Sequence, residues 1–168
     1  PVKIINNSIA SKDNHMTLDK GKTQEVFPHM GVITDRGVVG ITKTSSCCFT
    51  SVMSILHRQT RISASIRSKG FFGSLEWDGE DPEIMQLKEI PRHAKLAVGD
   101  TVQTSGNSNL FPKGIAVGII ENIDKQAGPN SYNIQVRLIE DISNIQYAYV
   151  VKDLMKKELD QALEGTDE

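Results

Sequence analysis

The stretch VGDTVQTSGNSNLFPKGIAVG, Val98–Gly118, holds four glycines, a Thr-Ser-Gly and a Phe-Pro. A Ser-Gly among glycines marks a nucleophile, a phosphate cradle or a turn between strands, so its reading separates an enzyme from a scaffold. Ser105 is followed by Gly106 and the polar run Asn107-Ser108-Asn109, and no glycine stands two residues before it. The Gly-x-Ser-x-Gly elbow that strains a catalytic serine into the open is therefore absent. No helical pattern and no Gly-Lys-Ser/Thr follows either glycine-rich segment, which removes the phosphate cradle. Turn chemistry explains more of the residues. Gly99 is free to take positive φ and Asp100 bonds locally, making a turn into Thr101–Thr104. Phe111-Pro112-Lys113-Gly114 reads as a second tight turn into the next strand, with Phe111 pinning the loop on the core. Gly118, inside that strand, marks a bulge or barrel corner where a side chain would clash. The stretch is strand, loop and strand.

Outward from it the same grammar holds. Short β-branched or alternating runs are separated by Gly, Pro, Asn and Asp, the pattern of an all-β chain. The expected strands are Val2–Ile5, His15–Leu18, Gly31–Thr34, Val38–Thr42, Phe49–Leu56 and Arg61–Ile66. Phe72–Trp77, Ile84–Leu87, Thr101–Thr104, Ala116–Asn122, Tyr132–Ile139 and Ala148–Val151 complete the series. An internal echo places Val-Gly-Ile after a turn glycine twice, in RGVVGI (Arg36–Ile41) and GIAVGI (Gly114–Ile119). It fits two small barrels better than one large sheet. The polar break HRQTR, His57–Arg61, sets the boundary: residues 1–58 form the first barrel, with a strand near 147–151 to complete it, and 59–151 the second. The charged tail 152–168 is expected to form a short solvated helix that frays at its end.

Composition narrows the function. The chain has 168 residues, 38% hydrophobic and 24% charged, enough for a core and too apolar for wholesale disorder. A net charge of −2 and 5% aromatic residues offer neither a basic surface nor a stacking platform for nucleic acid. The only cysteines are neighbours, Cys47-Cys48, which cannot staple distant segments. With four scattered histidines they give no zinc spacing, and no cofactor is expected. No apolar run approaches a membrane span. The opening at Pro1, already in an extended VKII, reads as the start of a fragment.

Other chemical candidates are weighed in place. Two barrels with His57, Asp78 or Asp100, and Ser105 raise the alternative of a trypsin-like protease or an inactive relative, which needs a base within reach of the serine. His15, His29 and His93 sit among polar or turn residues. WDGEDPE, Trp77–Glu83, lacks the ladder of a calcium loop and reads as a hairpin turn. Arg61, Arg67 and Lys69 bracket one strand, and strand-end charges of this kind face solvent or protect an edge. Phe71-Phe72 differ from these. Adjacent residues in a strand face opposite sides, so one ring is expected outward, as a candidate partner contact.

VGDTVQTSG and FPKGIAVGII resemble the pattern Gly-Asp-x-Val-x-Thr-Ser-Gly, spacer, Phe-Pro-x-Gly-Ile-x-Val-Gly of the MreC family of bacterial rod shape-determining proteins. MGVITDRGVVGI, HRQTRISASI, GFFGSLEWDG and SNIQYAYVV also fit, so the resemblance covers nearly the whole chain. One departure is His29, where the family pattern leads one to expect glycine. The resemblance implies two six-stranded β-barrels, loosely like those of chymotrypsin-type proteases but without catalysis. It implies a parent with a cytoplasmic tail, one membrane helix and a coiled coil ahead of barrels that lie in the periplasm. It further implies a scaffold that forms dimers or filaments, binds the elongation-specific class B penicillin-binding protein and works with MreB and MreD.

Overall fold

The computed structural model describes residues 1–67, 69–91, 93–107, 110–124 and 131–152. The expected helical tail and the Ser108-Asn109 turn lie outside them. Among the described residues twelve strands follow in chain order: β1 Val2–Asn7, β2 Asp13–Leu18, β3 Gly31–Ile33, β4 Val38–Ser45, β5 Thr50–His57 and β6 Ile62–Ile66. Then come β7 Phe72–Glu76, β8 Ile84–Pro91, β9 Thr101–Thr104, β10 Ala116–Asp124, β11 Ser131–Leu138 and β12 Tyr147–Val150. Each expected strand is present, because the Val/Ile/Thr alternation that signals a half-buried strand is what the core requires. In β2, for example, Asn14, Met16 and Leu18 are buried while Asp13, His15 and Thr17 are not.

The strands close into two six-stranded antiparallel barrels, ordered β1-β12-β3-β4-β5-β2 and β10-β11-β8-β7-β6-β9. Among the described residues, closure leaves no sheet edge open for pairing with another chain. Around the second barrel the pairs are β6-β7, β7-β8, β8-β11, β11-β10, β10-β9 and β9-β6. The first repeats this circuit with β12 in the place of β6: β12-β1, β1-β2, β2-β5, β5-β4, β4-β3 and β3-β12. One topology is thus used twice, once in simple chain order and once with its leading strand supplied by the end of the chain.

One apolar cluster runs through both barrels, from Val2, Met16 and Val52 to Met85, Val102 and Ile134. The returning segment between β11 and β12 is tied down as it crosses. Asn7 Nδ2 donates to the Ile142 carbonyl at 2.8 Å, Thr34 Oγ1 donates to Glu140, and Asp141 caps a 3-10 turn at Ile142–Asn144. His29 adopts φ 63°. That left-handed conformation is the one a glycine takes most easily, which accounts for the position where the family pattern favours one.

Candidate functional site

The turn before β9 and the loop between β9 and β10 are built on backbone geometry. Gly99, Gly106 and Gly114 have φ of 99°, 77° and 98°, the left-handed region that a Cβ makes costly. Asp100 Oδ2 accepts from the Ala97 amide at 3.0 Å and lies 3.8 Å from Lys69 Nζ. Thr104 Oγ1 donates to the Pro112 carbonyl at 2.6 Å and accepts from the Ile115 amide at 2.9 Å, so the Phe-Pro turn is fastened to the strand that precedes it. Gly118 is extended; its need is space. A Cβ there would meet the Arg137 carbonyl oxygen at 2.4 Å and Val136 Cγ1 at 2.6 Å. Phe111, 4% exposed, crosses to the first barrel, where a Cβ on Gly31 would meet its Cε1 at 2.6 Å.

The protease constellation is not assembled. The Ser105 hydroxyl lies 2.7 Å from the Ser63 hydroxyl and accepts from the Asn107 amide at 3.2 Å. His57, at the end of β5, is buried; its Nδ1 accepts from the Gln59 amide at 3.0 Å and its ring meets His15 edge-on at 5.0 Å. Asp78 accepts from the Glu80 amide at 3.0 Å and from Gln86 Nε2 at 3.4 Å. Among the described residues, no hydrogen bond joins any two of the three. Asp100 is spent on the Ala97 amide and Lys69.

The two phenylalanines part company. Phe71, before β7, is half-buried against the core and packs edge-on to His93, ring centres 5.5 Å apart. Phe72, the first residue of β7, is 58% exposed. It borders a surface groove of about 470 Å³ lined also by Arg61, Ser63, Ser74, Glu89, Leu110 and Phe111. Both walls of this groove come from the second barrel: the β6–β7 face and the β9–β10 loop. Glu89 on its rim has φ 68°, a conformation that non-glycine residues hold only when the surroundings impose it. The outward faces of Arg61 and Lys88 share one carboxylate, Glu76.

Among the exposed rings that were not singled out from sequence, two share one strand. Tyr147 and Tyr149 on β12 are 61% and 52% exposed, flanking the buried Ala148. The Tyr-Ala-Tyr alternation carries that signal. Among the described residues no helix is long and apolar enough to cross a membrane, and no group of three or more His, Cys, Asp or Glu side chains is placed to hold a metal ion.

Comparison with known proteins follows the same geometry. The family model "Rod shape-determining protein MreC, barrel core" matches residues 4–152. The chain is 26% identical over 152 residues to the cell shape-determining protein MreC of Listeria monocytogenes, covering 89% of this chain and 52% of that protein. It is 28% identical over 155 residues to the Bacillus subtilis protein of the same name, covering 84% and 53%. The chain thus spans about half the length of these curated relatives. A solved Listeria MreC structure matches with a TM-score of 0.82 at 26% identity, over 90% of this chain and 73% of that one. MreC solved in complex with the penicillin-binding protein PBP2 from Helicobacter pylori matches with a TM-score of 0.65 at 18% identity, over 81% and 85%.

Proposed function

The chain belongs to the MreC family of rod shape-determining proteins, and from that premise we propose that it is a non-enzymatic scaffold of the cell-elongation machinery. It holds an elongation-specific class B penicillin-binding protein and self-associates into dimers or filaments. It acts with MreB and MreD, on the extracytoplasmic face of the membrane, in a parent anchored by a single membrane helix. The observation that carries the partner assignment is the likeness, over most of both chains, to a relative solved with PBP2 bound. What supports the non-catalytic reading is the use of His57, Asp78 and Ser105 in turns and packing.

The mechanism is binding. A scaffold biases its partner only by binding one of the partner's conformations better than another. Phe72 is the contact we assign to this task, since a large exposed ring beside a groove is the kind of group that anchors an interface. Phe71 serves it from behind, by packing the start of β7 on the core. Binding of the purified chain to the periplasmic part of the penicillin-binding protein tests the assignment. Phe72→Ala should weaken it by about 2 kcal/mol with the melting curve unchanged, whereas Phe71→Ala should act mainly on stability. Equal affinity of folded Phe72→Ala and parent would move the contact elsewhere. No affinity in the parent would remove the partner. Sedimentation of the same samples reads self-association, and protease added to spheroplasts of the source bacterium should remove barrels that face outward.

A further inference from the structure

The β4–β5 hairpin ends in Ser46-Cys47-Cys48-Phe49, and both cysteines are free and exposed. Their sulfur atoms lie 2.6 Å apart, and the hydrogen bond with Cys47 raises the Cys48 thiol above its ordinary range. The turn that carries them is held from both sides. The Ser46 amide donates to the Phe49 carbonyl at 2.8 Å. A second segment, the 3-10 turn Lys22–Gln24 entered through Gly21, lies directly on it. The Lys22 amide donates to the Ser46 carbonyl at 2.8 Å, and the Thr23 amide to the Cys47 carbonyl at 3.1 Å. Thr23 Oγ1 adds a third bond, to the same Cys47 carbonyl, at 2.8 Å. The fit is close enough to require glycine at 21, where a Cβ would meet the Ser46 oxygen at 2.4 Å and the Cys48 nitrogen at 2.7 Å. The hairpin tip therefore presents two converging thiols to solvent on a backbone whose peptide carbonyl is clamped.

We propose that Cys47-Cys48 is a thiol–disulfide exchange site whose substrate is the disulfide of another molecule, a protein or a small thiol compound. One thiol loses its proton and attacks a sulfur of that disulfide; the S–S bond breaks and its other sulfur leaves as a thiolate. The neighbouring cysteine then attacks the mixed disulfide, closing the Cys47–Cys48 bond and releasing the second thiolate. Two thiols are oxidised by two electrons with loss of two protons, and the incoming disulfide is reduced to two thiols. The ring so closed is strained. Consecutive Cα atoms sit about 3.8 Å apart across a trans peptide, short of the roughly 4.4–6.8 Å that disulfides span without distortion. Strained, exposed disulfides are the readily reduced ones, so the bond returns to dithiol in a reducing buffer. Closing it twists the 47–48 peptide and pulls the Cys47 carbonyl from Thr23, which couples the redox state to the 21–25 turn.

The 168-residue chain in graded mixtures of reduced and oxidised glutathione tests this by intact mass and hydrogen exchange. The expected product is a monomer lighter by two hydrogens, reversed when reduced glutathione is raised, with faster exchange at the Thr23 amide in the oxidised form. Cys47→Ser and Cys48→Ser should each stop at a stable glutathione adduct. Thr23→Val, which removes the hydroxyl bond opposing ring closure, should shift the balance toward the disulfide about fivefold. A parent chain that accumulates the glutathione adduct, or a disulfide-linked dimer, would overturn the exchange site. A closed ring with Thr23 exchange unchanged would overturn the coupling.

Discussion

In the first barrel Gly31 pairs with Ile41 and Val32 with Gly40, after which the register slips so that Ile33 faces Val38. In the second, Thr101 pairs with Ile119 and Val102 with Gly118, and the register slips so that Gln103 faces Ala116. The extra residue is a buried valine each time, Val39 and Val117. A threonine closes off the leading strand in both, Thr34 directly after β3 and Thr104 as the last residue of β9. The Thr34 amide donates to the Gly37 carbonyl and the Thr104 amide to the Ile115 carbonyl, each at 2.8 Å. The two hairpins differ in what lies between these anchors. Asp35 and Arg36 alone bridge the first, whereas ten residues separate Thr104 from Ile115 in the second, among them Phe111, which packs onto Gly31. The repeated part is what a barrel of this topology needs in order to close. The unrepeated part joins the barrels and lines the groove beside Phe72.

The sharpest break of this comparison is Phe111→Ala. If the loop is the strut between barrels, removing a buried ring costs about 3 to 4 kcal/mol, read as a lower urea midpoint. A cost near that of an exposed residue would make the loop an ornament. Gly31→Ala probes the same contact from the other barrel, since its Cβ would meet the Leu110 carbonyl oxygen at 2.4 Å. It should unseat the loop while leaving the Gly31–Ile41 pairing in place.

Next in size is the glycine pair. A Cβ on Gly40 would meet the Met53 carbonyl oxygen at 2.5 Å and Val52 Cγ1 at 2.9 Å, matching the approach of Arg137 and Val136 to Gly118. Backbone cannot swing aside as a side-chain tip can, so Gly40→Val and Gly118→Val should each cost about 3 kcal/mol. Similar costs in urea melts would make the positions equivalent; a large gap would reduce the echo to sequence coincidence.

These glycines show what was legible. The Val-Gly-Ile echo is visible in sequence because close backbone approach admits no other residue, and the twelve strands are visible because burial on one face imposes a period of two. Which strand neighbours which is written in no local period, since barrel closure depends on pairs far apart in the chain. The Phe71-Phe72 pair shows the same limit on a smaller scale. Alternation requires one ring outward, but only the register of β7 against β6 and β8 decides that it is Phe72. His57 reads as part of a polar break; pairing of β2 with β5 buries it. Cys47-Cys48 offers no clue to its clamp, because the Gly21 turn that grips it comes from a distant segment.

Smaller effects separate the glycines on either side of β9. Gly106 has φ 77° and a Cβ there would meet Lys113 Cβ at 2.9 Å, whereas Gly99 has φ 99° with open space around it. Backbone strain alone gives Gly99→Ala a cost of about 1 kcal/mol, and the added contact should bring Gly106→Ala to about 2 kcal/mol. The first-barrel hairpin, whose Gly37 has no positive φ, is limited instead by the Ala116 carbonyl oxygen 2.7 Å from a Cβ at Gly37. Thermal melts giving Gly99→Ala the larger loss would mean that the turn at Val98–Asp100 carries more of the barrel than its open surroundings indicate.

The smallest effect distinguishes the barrels by acid. His57 in the first is 3% exposed, and burial holds its pKa below the usual imidazole value. The carboxylate of Asp13, 3.9 Å away, pulls the other way, while His15, Lys43 and Arg58 add to the lowering. Its Nδ1 accepts a hydrogen bond from Gln59, which a proton on that nitrogen would abolish. The histidine is thus harder to protonate when folded than when unfolded. Below about pH 6.5 the unfolded chain binds the extra proton, so stability falls with pH until the folded value is passed. Asp13, lowered chiefly by its bond to Arg58, adds a loss of the same sign only in the carboxylate range. In the second barrel His93 is exposed on the surface against Phe71 and offers no comparable buried group. Hydrogen exchange at about pH 7 and about pH 5 should therefore show β2 and β5 losing protection before β8 and β11. His57→Asn keeps an acceptor for the Gln59 amide without a titrating ring, and should flatten that slope even if it lowers stability at neutral pH. Equal loss in both barrels, or an unchanged slope in the variant, would place the acid sensitivity outside His57.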